Sequence, residues 1–188
     1  MMSSKSEINY LTPIGKVNSY IDCNGQLEIT SALERFAPIL PSHMKIEESR
    51  IFKWNIKAIE NYASFKAICK LEPNCNIDGG HESGQYLEAY GWQNREYILS
   101  LGTDDSEYLN FSATKGVIPK RFATNNILES FNWVKYVDNG LIVEVPALLQ
   151  HEHIELYFAI AWKHKDSDED DISTWYTIGL ALDYIHLN

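Results

Sequence analysis

The sequence predicts a mainly β chain: an antiparallel two-layer β-sandwich or curved barrel with one short N-terminal helix. Three observations carry this reading. From His153 to Lys165 apolar residues alternate, with Ile154, Leu156, Phe158, Ile160 and Trp162 on one side and His153, Glu155, Tyr157, Ala159, Ala161 and Lys163 on the other. That period of two is the signature of a half-buried strand. Asn139-Gly140, flanked by β-rich runs, is a strong signal for a two-residue hairpin turn. Counting all such runs gives roughly eight to ten strands, without the regular strand–helix alternation of a parallel α/β sheet.

Taken in order, residues 1–15 read as a loosely held leader. Lys16 to Ile29 holds two short β-like runs around Asn24-Gly25, a hairpin dipeptide. Ser31-Ala32-Leu33-Glu34 fits a capping box, in which the Ser and Glu side chains satisfy each other's free backbone donors. Leu33, Phe36 and Ala37 would share a helical face, and Pro38 and Pro41 would end the helix.

Beyond Arg50 the β pattern takes over. Phe52, Trp54, Ile56 and Ala58 alternate with Lys53, Asn55 and Lys57; then Phe65, Ala67, Cys69 and Leu71 alternate with Lys66, Ile68 and Lys70. Cys69 is therefore expected in the core. Pro73 to Gly84 reads as a loop, and strands are expected at 86–90, 96–101 and 108–113, the last two joined through Gly102-Thr103-Asp104-Asp105. Residues 114–128 read as a connection. A turn at Asn139-Gly140 would place Tyr136 opposite Val143, Val134 opposite Val145 and Lys135 opposite Glu144, a favourable pair of charges. Tyr176, Ile178, Leu180, Leu182 and Tyr184 alternate with Thr177, Gly179, Ala181 and Asp183, so 153–184 reads as one long hairpin with a polar loop at 166–171. Its arms would pair Ala159 with Gly179, Tyr157 with Ala181 and Ala161 with Thr177. The resulting patch of small residues implies close approach by the Ser31–Ala37 helix or a loop, or else by a ligand lying flat between Tyr157 and Trp175.

The chain of 188 residues is long enough for one domain, residues 1–188, that folds without disulfide or metal. Its three cysteines, Cys23, Cys69 and Cys75, form no Cys-x-x-Cys pair, so neither a disulfide framework nor a zinc knuckle is suggested. The polar N-terminus lacks a signal-peptide core, and no run approaches the ~20 apolar residues of a membrane helix. A cytoplasmic protein with no membrane association is expected.

Net charge is −10, and it is uneven: residues 1–121 carry 13 Lys/Arg against 15 Asp/Glu, residues 122–188 carry 3 against 11, giving −2 and −8. An acidic C-terminal third argues against nucleic-acid binding and favours a basic protein partner.

His151, His153 and Glu155 lie at alternate positions and would point the same way in an extended chain. Two imidazoles and a carboxylate suit zinc or non-haem iron, with His81, His164 and Glu82 as outside completions. Asp166, Asp168 and Asp170 offer oxygen ligands at alternate positions, as calcium loops do. An EF-hand is excluded, because Asp171 stands where Gly is needed and Thr177 where Glu is needed. Asp78 to Gly84 holds an acid, an imidazole and a hydroxyl, yet Ser83 is not in a Gly-x-Ser-x-Gly elbow. Trp92 and Trp175 are candidates for exposed aromatic platforms.

The function expected is that of a non-catalytic binding domain, of the inhibitor or immunity type, whose acidic C-terminal surface takes a basic partner. Its binding residues would be Tyr157, Trp175, Asp166, Asp168 and Asp170. The alternative is a divalent-metal enzyme or small-ligand binder using His151, His153 and Glu155.

Overall fold

The alternating runs of Val17 to Ile21, Phe52 to Ala58 and Ile154 to Ile160 each bury one side completely, and they assemble two antiparallel sheets. The computed structural model describes residues 6–23, 27–84, 86–123, 132–165 and 172–187. The strands are β1 (Glu7–Thr12), β2 (Gly15–Asp22), β3 (Leu27–Phe36), β4 (Glu48–Ala58), β5 (Phe65–Pro73), β6 (Asp78–Gly84), β7 (Leu87–Gln93), β8 (Tyr97–Asp104), β9 (Val134–Val137), β10 (Gly140–Val145) and β11 (His153–His164). Helix α1 (Ser106–Lys115), a 3₁₀ turn (Lys120–Ala123) and helix α2 (Ser173–Leu187) complete the described elements.

One sheet runs β1-β2-β5-β10-β9, the other β3-β4-β11-β8-β7-β6, and neither closes into a barrel. Between them lies a single core of residues such as Val17, Cys69, Leu141 and Val143 from the first sheet and Phe52, Trp54, Leu101 and Phe158 from the second. Each large side chain buried there stabilises the fold by about 1.5–3 kcal/mol. Trp54 is fully buried, and its indole N–H donates across the sandwich to Ser19 Oγ at 2.9 Å, so the core hides no orphaned donor at that point. Cys69 is fully buried as expected, and burial pushes its thiol well above the usual range.

Several expectations are corrected. The second arm of the 153–184 hairpin is not a strand but helix α2. Its buried residues Thr174, Thr177, Ile178, Ala181 and Leu182 fall at i, i+3, i+4, i+7 and i+8, a helical stripe. Period-two alternation misled because apolar residues occur on every side of this segment. The 166–171 loop lies outside the described residues. Instead of the Ser31–Ala37 helix, Ser31 to Phe36 belong to strand β3, which is paired along its whole length with β4. Glu34, expected in a capping box, pairs with Lys53 at 2.8 Å. Tertiary pairing over ten residues outweighs a local helix signal.

The strand expected at 108–113 belongs to α1. Asp105 caps it by accepting from the Tyr108 N–H at 2.7 Å, and Gly116 ends it in the left-handed conformation, φ 84°. The leader contains β1, the 73–84 loop contains β6, and β8 runs on through Asp104. Asn24-Gly25 lies outside the described residues, but β2 and β3 on either side of it belong to different sheets, so they form no hairpin.

The Asn139-Gly140 hairpin exists with a register shifted by two. Gly140 faces Val137, Leu141 faces Tyr136 and Val143 faces Val134. The loop is therefore Asp138-Asn139, with only Asn139 left-handed at φ 58°, whereas a type I′ turn needs two such residues. Gly140 serves a different purpose. It faces Lys70 of β5, where an added Cβ would stand 2.8 Å from the Lys70 Cα. Lys135 and Glu144 still meet, diagonally, at 2.5 Å.

Candidate functional site

The outer face of the six-stranded sheet is made of small side chains. Ala159 and Ala161 of β11, Ser100 and Gly102 of β8 and Ala89 of β7 are neighbours through the strand registers, and helix α2 lies on them. Ile178, Ala181 and Leu182 form a second buried cluster with Ala89, Ala159 and Ala161. Contact is close enough that a Cβ on Gly102 would stand 2.6 Å from Ile178 Cδ1, and one on Gly84 would clash with the Trp175 ring. Ser100 and Thr174 share a buried hydrogen bond of 2.9 Å beneath the helix. The close approach expected at this small-residue face is thus real, but α2 itself fills it. The expected pairings of Ala159, Tyr157 and Ala161 with residues 177–181 as strand partners do not exist.

Where α2 passes the ends of β8 and α1 it leaves a cleft of about 470 Å³. Tyr86, Tyr108, Trp175 and Tyr176 supply aromatic surface, and Asp104, Asp183 and His186 supply charge and polarity. Asp104, the last residue of β8, is almost wholly buried. His186 Nε2, on the last turn of α2, stands 2.9 and 3.1 Å from its two carboxylate oxygens. Burial raises the Asp104 pKa above the ordinary carboxylate value; the hydrogen bond and charge of His186 offset part of that. Tyr108 lies 4.4 Å from the His186 ring and 5.8 Å from the Tyr86 ring, centroid to centroid. Burial, and then the negative charges of Asp104 and Asp183, raise its phenol pKa, so the hydroxyl keeps its proton. Tyr86 is held in the left-handed region, φ 62°, while its carbonyl accepts from the Asp105 N–H at 3.1 Å. A smaller cavity of about 210 Å³ adjoins the cleft past Tyr86 and Tyr108, walled by Glu107 and Phe111.

Comparison with known proteins leaves the site to speak for itself. No family model, curated protein or solved structure matches this chain.

The residues expected from sequence are distributed as follows. Trp175 lines the cleft, half-buried over Gly84. Tyr157 lies beneath α2, its ring edge-on to His186 at 6.2 Å, its hydroxyl donating to Glu155. Asp166, Asp168 and Asp170 lie outside the described residues. His151 occupies a left-handed bend, φ 69°, before β11 begins, so the strand alternation that would align it with His153 and Glu155 does not reach it. His151 and His153 are exposed, and Glu155 accepts from Tyr157. Among the described residues no three His, Cys, Asp or Glu side chains converge as metal ligands.

His81 stacks on Tyr136 across the open edge of the sandwich, with centroids 4.0 Å apart. His164 lies against Tyr97. Asp78, His81 and Ser83 are spread along strand β6 rather than gathered in a loop. Trp92 is in the core, 2% exposed. No helix among the described residues is long and apolar enough to cross a membrane.

Sequence reasoning missed Asp104, His186, Tyr86 and Tyr108. Asp104 read as a turn residue, and His186 lay beyond the supposed hairpin. Asp105 at an N-cap position and Gly116 at a C-cap position were the signals that would have revealed α1 and placed Tyr108 beside the cleft.

Proposed function

We propose that this chain is a non-catalytic interaction domain that takes a basic protein partner on the outer face of α2 and in the cleft beside it. The observation that carries the reading is that α2 is apolar on both sides. One side is buried on the sheet, while Leu180 is half-buried and Tyr184 and Leu187 are 50% and 84% exposed on the other, following Ile172 at 54%. Helices that are apolar all round are ordinarily covered all round, and clustered exposed apolar residues mark interaction surfaces.

A groove of about 580 Å³ on the far side of α2, walled by Phe36, Ile39, Tyr184 and Leu187, extends that surface, and Leu180 and Asp183 border both hollows. Charge supports a basic occupant. The last third of the chain is strongly acidic, and residues 166–171, directly before α2 in sequence, hold five carboxylates. Complementary charge speeds encounter and selects partners. A concrete form is an inhibitor-type protein that masks a basic enzyme.

A photo-crosslinking side chain placed at Leu180 tests this, with Leu11, 76% exposed on β1 of the other sheet, as the control. The expected result in native lysate is one basic protein joined at position 180, lost when salt is raised before irradiation, and absent at position 11. The purified pair should then re-form in stoichiometric complex. Crosslinking at 180 no greater than at 11, or only to a second copy of this chain, would overturn the proposal.

A further inference from the structure

We infer that the cleft between β8, α1 and α2 is a receptor for an organic ammonium group, a lysine-type side chain or its N-methylated form, carried by the partner. The inference rests on reading the α2 face as the docking surface and names the group it recognises. The cleft falls in the volume range of small-ligand sites, ~300–1,000 Å³, at about 470 Å³. Tyr86, Tyr108, Trp175 and Tyr176 line it together with Leu87, Leu180 and Leu182. Aromatic faces carry negative potential and attract cations within about 6 Å of a ring centroid, most strongly where water is excluded. Tyr86 and Tyr108 meet edge to face at 5.8 Å and 64°.

The polar groups narrow the class. Both Asp104 oxygens lie within hydrogen-bond distance of His186 Nε2, at 2.9 and 3.1 Å. Asp104 is therefore matched with His186 and offers no free fork of acceptors. A guanidinium is recognised through such a fork. An ammonium, which acts as a compact charge, and above all a methylated one, which has few or no donors, is satisfied by ring faces and a nearby negative charge. Asp183, exposed on α2, places a second carboxylate at the cleft wall. A hard metal ion would demand several converging oxygens, and among the described residues no three acid, histidine or cysteine side chains converge.

The test is a titration of the full-length protein with tetramethylammonium chloride, followed by NMR of the aromatic side chains. Methylguanidinium chloride and uncharged neopentyl alcohol serve as comparison probes, and sodium chloride holds ionic strength constant. Tetramethylammonium should give saturable shifts centred on Tyr86, Tyr108, Trp175 and Tyr176. Uncharged neopentyl alcohol should bind at least ~10-fold more weakly, and methylguanidinium more weakly than tetramethylammonium. Asp183→Asn and Tyr86→Leu, both at exposed positions, should each weaken tetramethylammonium binding severalfold, with the fold checked by the remaining backbone spectrum. Absence of saturable shifts in the folded parent, equal binding of neopentyl alcohol, tighter binding of methylguanidinium, or shifts centred elsewhere would overturn the inference. If the Leu180 crosslink forms while tetramethylammonium stays silent, the inference falls and the docking surface stands. Tetramethylammonium binding without a partner crosslink would keep the ammonium site but remove the docking reading, and with it the claim that the partner carries the group.

Discussion

Replacing Ala161 with Leu tests whether helix α2 is seated on the sheet as described. Ala161 has no exposed surface and belongs to the buried cluster that includes Ile178, Ala181 and Leu182 of the helix. Its strand neighbour is Ser100, whose hydroxyl is bonded to Thr174 of α2. A leucine adds three carbons to a layer whose glycines already stand within van der Waals reach of the helix side chains. Overpacking of this kind costs about 1–3 kcal/mol. At roughly 2–4 °C per kcal/mol for a chain this size, Tm should fall by about 2–12 °C. Urea unfolding followed by far-UV circular dichroism measures the loss. The control is Ala32→Leu, at an exposed position of β3, where a change within about 0.5 kcal/mol is expected. An Ala161→Leu protein with the parent's midpoint would mean that this face is not filled, and the packing account would be wrong.

Other expectations follow from single contacts. Arg121 grips Glu152 through two bonds, of 2.7 and 2.8 Å, and holds its carboxyl below the usual pKa. That stability is present above the ordinary carboxylate pKa and is lost as pH falls through the depressed one. Glu152→Gln should cost ~1 kcal/mol near neutrality and flatten this part of the acid-unfolding profile; an unchanged profile would contradict the pairing. Asp104 has the opposite sign: burial raises its pKa, so its contribution is fullest below the ordinary carboxylate range and declines as pH rises through the raised value. Asp104→Asn should remove that decline in a stability–pH series, and a decline of the parent's size in the variant would refute the assignment. Gly140→Ala should destabilise by about 1–3 kcal/mol because a Cβ there meets β5 backbone, whereas Gly80→Ala, with open space around it, should cost far less. Equal losses in denaturant midpoint would argue against the β10–β5 register.

Strands whose two sides differ sharply were readable from sequence. β4 and β5 alternate large apolar residues with mostly polar ones, and the structure buries the side the pattern selects; in β11 the opposite residues Tyr157, Ala159, Ala161 and Lys163 are buried as well. What escaped had physical reasons. In α2 apolar residues occupy nine of fifteen positions, on both the buried and the open side, so a period of two and a period of 3.6 fit the same letters. In β3, Ser31 and Glu34 do satisfy a helix-start rule locally, but ten residues of ladder with β4 override it. The Asp138-Asn139 turn could not be separated from Asn139-Gly140 because the demand on Gly140 comes from β5, which is remote in sequence.

The cleft was only partly readable, through Trp175. Its other parts come from β8, α1, the approach to β7 and the last turn of α2, and no spacing in the chain announces their meeting. The His151, His153 and Glu155 set failed as a cluster because alternation holds only inside a strand, and His151 sits in a bend outside it.

We propose that the exposed apolar face of α2, with Asp183 beside it, holds a basic partner. The most direct test is the partner's dissociation constant, measured across a salt series for the parent and for Asp183→Lys. Asp183 is exposed, so the substitution leaves the core intact. The account predicts that affinity falls as salt rises, and that charge reversal weakens low-salt binding by about 10-fold or more, with the gap closing at high salt. Equal affinity of parent and variant at every salt concentration would contradict it.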